Sequence, residues 1–113
     1  MRKVFLLLLV CSACSEGPQA DLPAISEARS LGAEWALINA QAAQHKITQT
    51  YAATMRASIR EQLQGSAKAL TQPNTPYGAE IRSLLREPDD APAQQLRAHA
   101  DNLKQIEDSL ESA

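Results

Sequence analysis

Two histidines, His45 and His99, are the side chains of this sequence best suited to acid–base chemistry or to metal binding. His45 falls at the end of the first predicted helix, where an exposed imidazole is favourable beside the negative helix end. His99 falls within the apolar face of the last predicted helix, where we expect a half-buried ring with nearby hydrogen-bond partners. Asp101 does not share a helical face with His99, and the sequence contains no HExxH motif. The sequence therefore predicts no metal site and no catalytic histidine.

Other patterns that carry chemistry are absent from the sequence. No GxSxG motif is present, and the four scattered glycines form no phosphate-binding loop. The adjacent acids Asp89 and Asp90 lie at the start of the last predicted helix, where capping and the helix dipole explain them. A formal net charge of −2 argues against nucleic-acid binding. We therefore expect no enzymatic activity, no cofactor and no nucleic-acid partner.

The chain begins with the pattern of a secretory signal peptide. Arg2 and Lys3 precede seven apolar residues at 4–10, and small residues follow. Seven residues span only about 10 Å as a helix, against roughly 30 Å of membrane hydrocarbon. The run is therefore too short for a transmembrane helix. A buried core helix at the start of the chain is the alternative.

The end of this run, Cys11-Ser12-Ala13-Cys14, resembles the modification site of bacterial lipoprotein precursors. In that class, small residues precede a cysteine that is lipidated and becomes the new N-terminus. The resemblance implies lipidation at Cys14, and Ser15 in place of Asp implies an anchor in the outer membrane, facing the periplasm. Cys11 departs from the class, which usually has an aliphatic residue there. Ordinary cleavage after a small residue is the alternative.

These features divide the chain into three parts. Residues 1–13 are a signal peptide that is removed, residues 14–21 are the lipid-attachment cysteine and a linker, and residues 22–113 are one helical domain. The sequence after residue 13 contains neither Phe nor Val, which disfavours β-strands. No cysteine pair remains there for a disulfide.

Apolar residues at helical spacing predict three helices of about twenty residues and one short helix. The first covers 23–45, with Ala28, Leu31, Trp35, Ile38 and Ala42 on its apolar face. The second follows a Thr48 cap and ends near residue 70, with an apolar face of Tyr51, Met55, Ile59, Leu63 and Leu70.

The two remaining helices are predicted after a proline-rich turn. A short helix begins at Pro76 after a Thr75 cap and ends at Glu87, with Tyr77, Ile81, Leu84 and Leu85 on one face. The last helix starts with residues 89–92, and its apolar stripe consists of Leu96, His99, Ala100, Leu103, Ile106 and Leu110. Close packing is expected near Gly32.

The predicted fold is therefore all-α: a small antiparallel bundle of three main helices and one short connecting helix. Charge suggests the order of packing. Residues 14–45 carry 1 basic and 4 acidic side chains, and residues 87–113 carry 2 basic and 7 acidic ones. Residues 46–86 instead carry 6 basic and 2 acidic side chains. This pattern favours the second helix between the first and the last.

The predicted function is binding rather than catalysis. We expect an envelope protein held at the membrane by its lipid, with a helical interaction module for a protein partner. Trp35 lies in the predicted core face, with a contact to a partner as the alternative. Leu37 points away from that face and is the candidate for an exposed contact or a dimer interface. Arg56 and Arg60 either pair with acids of the first and last helices or meet anionic lipid. The alternative is a soluble exported binding protein, such as a periplasmic chaperone or inhibitor.

Overall fold

The computed structural model describes residues 17–113 as an all-helical domain, which confirms the predicted fold class. A 3₁₀ turn at Pro18–Asp21 precedes four α-helices: α1 (Leu22–Ala43), α2 (Gln49–Lys68), α3 (Pro76–Leu85) and α4 (Ala93–Glu111). No strand occurs within residues 17–113. The predicted signal peptide, Cys11 and Cys14 lie outside the described residues.

Helix α1 lies at the centre of the domain. It packs against α4 on one side and α2 on the other, and α3 contacts α2 and α4. Helices α2 and α4 do not contact each other, so the charge-based prediction that the second helix lies in the middle is wrong. Burial decides the arrangement, because exposed ion pairs contribute only about 0–1 kcal/mol each. The apolar surface of α1 is wide enough for two neighbours, with nine buried residues: Ile25, Ala28, Leu31, Gly32, Trp35, Ala36, Ile38, Asn39 and Ala42.

Side-chain caps set the starts of two helices, as the sequence predicts. Thr48 Oγ1 accepts a hydrogen bond from the Tyr51 amide at 3.1 Å, and Thr75 Oγ1 accepts one from the Gly78 amide at 3.2 Å. Each bond satisfies a backbone N–H that has no partner within its helix.

The end of α1 is a Schellman motif centred on His45. His45 has a positive φ of 58°, and its amide donates to the Ala42 carbonyl at 3.1 Å. The Lys46 amide donates to the Gln41 carbonyl at 2.9 Å. This pair of bonds reverses the chain after α1 and requires the left-handed conformation at His45, which glycine adopts more readily.

Gly32 allows α1 and α4 to approach closely. A Cβ atom at this position would lie 3.2 Å from Leu84 Cδ2 and 3.6 Å from Ala100 Cβ. The close packing predicted near Gly32 is therefore confirmed. The core around it includes Trp35, Leu84 and Leu103, each with no exposed surface.

Three local predictions differ from the structure. Tyr51 is 50% exposed rather than part of the buried face of α2. Asp89 and Asp90 do not cap α4, whose N-cap residue is Pro92. Packed structure begins at Pro18 rather than at residue 22, because Asp21 is buried and bonded to the α2–α3 loop.

No helix within residues 17–113 combines the length and hydrophobicity needed to cross a membrane.

Candidate functional site

An exposed apolar groove lies between the second half of α1 and the start of α2. We call it the apolar groove. It has a volume of about 640 Å³ and is lined by Glu34, Leu37, Ile38, Gln41, Ile47, Thr48, Tyr51 and Met55. Leu37 is 52% exposed and Tyr51 is 50% exposed, and they are the two large hydrophobic side chains that residues 17–113 leave exposed. Exposed apolar surface of this kind favours binding of another molecule.

Local structure fixes the two sides of the apolar groove. Leu37 follows Trp35 by two positions on α1, so it faces outward when Trp35 is buried. Tyr51 lies in the first turn of α2, where its own amide is held by the Thr48 cap. The connection between the helices is short and contains Ile47, which packs against the core. The groove is therefore part of the folded scaffold rather than of a long loop.

Polar contacts behind the groove attach α1 to the segment before α4. Asn39 Nδ2 donates to the carbonyl oxygens of Asp89 at 3.0 Å and Ala91 at 2.8 Å. Asn39 Oδ1 accepts a bond from Arg56 Nε at 2.8 Å. Asn39 thus joins α1, α2 and the α3–α4 connection through one side chain.

Arg60 and Trp35 make a second connection of the same kind. Trp35 Nε1 donates to the Asp89 carbonyl at 3.0 Å, and the Arg60 guanidinium lies 4.7 Å from the centre of the Trp35 ring. Arg60 also pairs with the Asp89 carboxylate at 2.7 Å and donates to the carbonyl oxygens of Leu85 and Glu87. Arg60 therefore caps the end of α3, and its acid partner comes from the connection before α4.

His99 lies between two carboxylates, in what we call the Glu–His–Glu cluster of Glu80, Glu87 and His99. His99 Nδ1 lies 2.5 Å from Glu80 Oε2, and Nε2 lies 2.6 Å from Glu87 Oε2. The three side chains are 11–19% exposed. A neutral imidazole has one N–H, whereas the charged ring has two. Two carboxylate partners on opposite ring nitrogens therefore favour the charged form of His99.

The electrostatics of the cluster agree with this geometry. Burial lowers the pKa of His99, but the bonds to Glu80 and Glu87 outweigh it and hold the pKa above its ordinary value of 6.5. The pKa of Glu87 is held below 4.5, chiefly by the bond from Gln95, against an opposing effect of burial and with help from His99. The geometry and the direction of both shifts therefore favour an ion pair between α4 and residues of α3 and its end.

Asp21 forms a second buried acidic site at the other end of α3. Its carboxylate accepts bonds from the amides of Thr71 and Gln72, from the Thr71 hydroxyl, and from the Tyr77 hydroxyl at 2.7 Å. Burial raises the pKa of Asp21, but these four bonds outweigh it and hold the pKa below 3.8. Asp21 is 1% exposed, so its negative charge is stabilised entirely by protein donors.

The candidate residues from the sequence are separated in space and serve different purposes. His45 is exposed at the end of α1, Trp35 is a core residue, and Leu37 is exposed as predicted. His99 is half-buried as predicted, but its partners, Glu80 and Glu87, are 19 and 12 residues away. Within residues 17–113, no group of three or more His, Cys, Asp and Glu side chains is arranged to hold a metal ion.

The sequence reasoning missed the acids that matter most, namely Asp21, Glu80, Glu87 and Glu107. Each is bonded to a partner on a different element, and Glu107 meets Arg29 of α1 at 2.6 Å. Glu107 lies on the buried face of α4, which the apolar pattern does not reveal. The one available signal was the position of Glu107, four residues after Leu103, on the buried stripe.

No family model, curated protein sequence or solved structure matches this chain. The site must therefore be interpreted from its own geometry.

Proposed function

We propose that this protein is a lipid-anchored component of the bacterial cell envelope, whose helical domain binds an envelope protein through the apolar groove and has no catalytic role. The observation that carries the binding role is the half-exposed pair Leu37 and Tyr51 on either side of that groove. The anchor rests on the sequence Cys11-Ser12-Ala13-Cys14.

The chemistry of the groove favours an amphipathic helix as the bound segment. Its lining combines the apolar side chains of Ile38, Ile47 and Met55 with the polar side chains of Glu34, Gln41 and Thr48. A lining of both kinds suits a helix that inserts its hydrophobic stripe and keeps its polar face in water. Met55 adapts to side chains of different shape. Glu34 favours a basic residue on the polar face of the partner.

The position of the groove suits presentation from a membrane. Leu37 lies fifteen residues after the start of α1, which corresponds to about 22 Å along the helix. Pro18 follows Cys14 by only four positions, a reach of at most about 14 Å. A lipid at Cys14 would therefore hold the start of α1 near the membrane and leave the groove at the distant end of α1.

The anchor is tested by the intact mass of the protein expressed in a bacterial host and separated into membrane and soluble pools. The expected product is membrane-bound, begins at Cys14 and carries added acyl mass. A Cys14→Ser variant should move to the soluble pool, whereas Cys11→Ser should not. An unmodified, cleaved soluble product would instead support an exported soluble binding protein, and an intact Met1 would contradict export altogether.

The groove is tested by a photoreactive amino acid placed at position 37 in living cells, with position 62 on the exposed face of α2 as the control. We expect a crosslinked partner from position 37, lost when Tyr51→Glu is added, and little from position 62. A crosslink only to a second copy of this chain would make the groove a dimer interface and overturn the proposed partner. Equal crosslinking from both positions would contradict a specific groove.

A further inference from the structure

We propose that residues 71–88, which carry α3, form a pH-controlled flap that His99 holds closed and releases when it loses its proton. The flap is attached to the rest of the domain by polar clusters at both ends. At the end that His99 holds, Arg60 of α2 also donates to the carbonyl oxygens of Leu85 and Glu87. This inference is independent of the proposed anchor and of the apolar groove, since it concerns a different face of the domain.

The first attachment is at the start of the flap. The Asp21 carboxylate accepts bonds from the Thr71 and Gln72 amides and from the Tyr77 hydroxyl. Within the flap, Arg82 donates to the Pro73 carbonyl at 2.9 Å. Asp21 keeps its charge throughout the neutral range because its pKa lies below 3.8. This end therefore stays attached when the pH rises.

The second attachment is the Glu–His–Glu cluster. Glu80 from α3 and Glu87 from the end of the flap meet opposite nitrogens of His99, which belongs to α4. Asn102 donates to Glu80 and Gln95 donates to Glu87, so the other α4 side chains that bond to these two carboxylates are neutral. Arg86 on the flap and Arg97 and Asp101 on α4 are exposed, and Arg29 of α1 pairs with Glu107. The described residues place no cation other than His99 within 4 Å of the Glu80 and Glu87 carboxylates.

When His99 loses its proton, one of its two ring nitrogens changes from a hydrogen-bond donor to an acceptor. The neutral ring keeps one N–H, which donates to one carboxylate, and presents an unshared pair to the other. Two negative carboxylates then remain near a ring with no charge. Proton loss therefore breaks one bond between α4 and the flap and sets the lone pair of a His99 nitrogen against a carboxylate oxygen of the flap.

The flap depends on these attachments because α3 is short. Ten residues do not form a stable helix in water without tertiary contacts. Tyr77, Ile81 and Leu84 are buried against the domain, so the closed flap predominates and opening is a minor, local event.

Proton linkage sets the direction and steepness of the effect. The open flap has the ordinary His pKa of 6.5, whereas the closed flap holds the pKa of His99 higher. Opening therefore releases one proton at pH values between the two. The opening constant should rise up to about tenfold per pH unit in that interval and stay flat below it.

The test is amide hydrogen exchange of the full chain, followed from pH 6 to pH 9 and corrected for intrinsic exchange rates. Protection of the α3 amides should fall by up to about tenfold per pH unit above 6.5, while protection of the α2 amides around Ile59 and Leu63 should stay constant. His99→Gln should give weak, pH-independent protection of α3. The control His45→Gln removes the other, exposed histidine and should behave as the unchanged protein.

A direct titration keeps the inference testable if His99→Gln fails to fold. The ring resonances of His99 in the unchanged protein should report a pKa above 6.5, and Glu80→Gln should lower it. A His99 pKa at or below 6.5 would overturn the flap. Protection of the α3 amides that does not change with pH would also overturn the flap. The same holds if protection of α3 falls together with protection of the α2 amides.

Discussion

Buried polar side chains decide how this small core is joined. Asp21, Asn39, Ser66 and Glu107 are all at most 7% exposed, and no buried side-chain polar atom of residues 17–113 lacks a hydrogen-bond partner. Such groups stabilise a fold only when they are fully paired, because an unpaired one costs about 1–3 kcal/mol. Each of the four therefore joins its own segment to at least one other segment of the domain.

Asp21 offers the sharpest test of this role. Asp21→Asn keeps the size of the side chain but places an amide donor against the donors of Gln72 and Tyr77. We expect a loss of about 2–3 kcal/mol in the free energy of unfolding. Urea unfolding at pH 7 measures it, with the exposed Asp90→Asn as control. A loss no greater than that of the control would show that Asp21 is not a structural centre.

Two glycines in helices provide a matched pair with opposite expected effects. A Cβ at Gly78 would clash with the Pro73 carbonyl oxygen, whereas one at Gly65 would meet nothing within 4 Å. Gly78→Ala should therefore destabilise the fold by at least about 2 kcal/mol through backbone displacement. Gly65→Ala should stabilise it by up to about 1 kcal/mol, because alanine favours helix. Thermal unfolding of both variants would contradict this account if they shifted in the same direction.

The helices themselves were largely predictable from local signals. Periodicity identified the buried face of α1, and Thr48 and Thr75 identified two helix starts, because these signals act within a few residues. The packing order and the exposure of Tyr51 were not predictable, because they depend on which helix covers which face. The Glu–His–Glu cluster escaped for the same reason, since its members come from three segments.

The end of α1 carries a testable local strain. His45 adopts φ 58°, a conformation that costs a non-glycine residue about 1–2 kcal/mol. His45→Gly should relieve that cost and, after the greater freedom of glycine in the unfolded chain, raise stability by about 0.5–1 kcal/mol. His45→Ala retains the strain and serves as the control. Equal stabilities in urea unfolding would show that the motif tolerates either residue.

The short helix α3 is held at its two ends by groups whose pKa values are shifted in opposite directions. Asp21 bonds to the start of residues 71–88, and His99 bonds to Glu87 at their end. A carboxylate with a lowered pKa stabilises the fold above its ordinary value, and a histidine with a raised pKa stabilises it below its own. The folded state is therefore most stable in the pH interval where all three groups are charged.

That interval defines the expected stability of the whole protein against pH. The contributions of Asp21 and Glu87 are complete above about 4.5 and are lost as the pH falls through their lowered pKa values. The contribution of His99 is complete below 6.5 and is lost as the pH rises through its raised pKa. The free energy of unfolding should therefore be greatest between about 4.5 and 6.5, with slopes of at most about 1.4 kcal/mol per pH unit for each proton.

Urea unfolding at pH values from 3 to 9 measures this curve and assigns its two sides. The pKa of Tyr77 lies above 10, so its hydroxyl stays protonated in this range. In His99→Gln the free energy of unfolding should no longer fall at alkaline pH, and the part of the acid decline that belongs to Asp21 should remain. In Asp21→Asn only the decline at acid pH should weaken. His45→Gln should change neither side, because His45 is exposed and makes no side-chain bond. If the alkaline side survived His99→Gln, the stabilising proton would belong to another group, and the Glu–His–Glu cluster would not hold α3 in place.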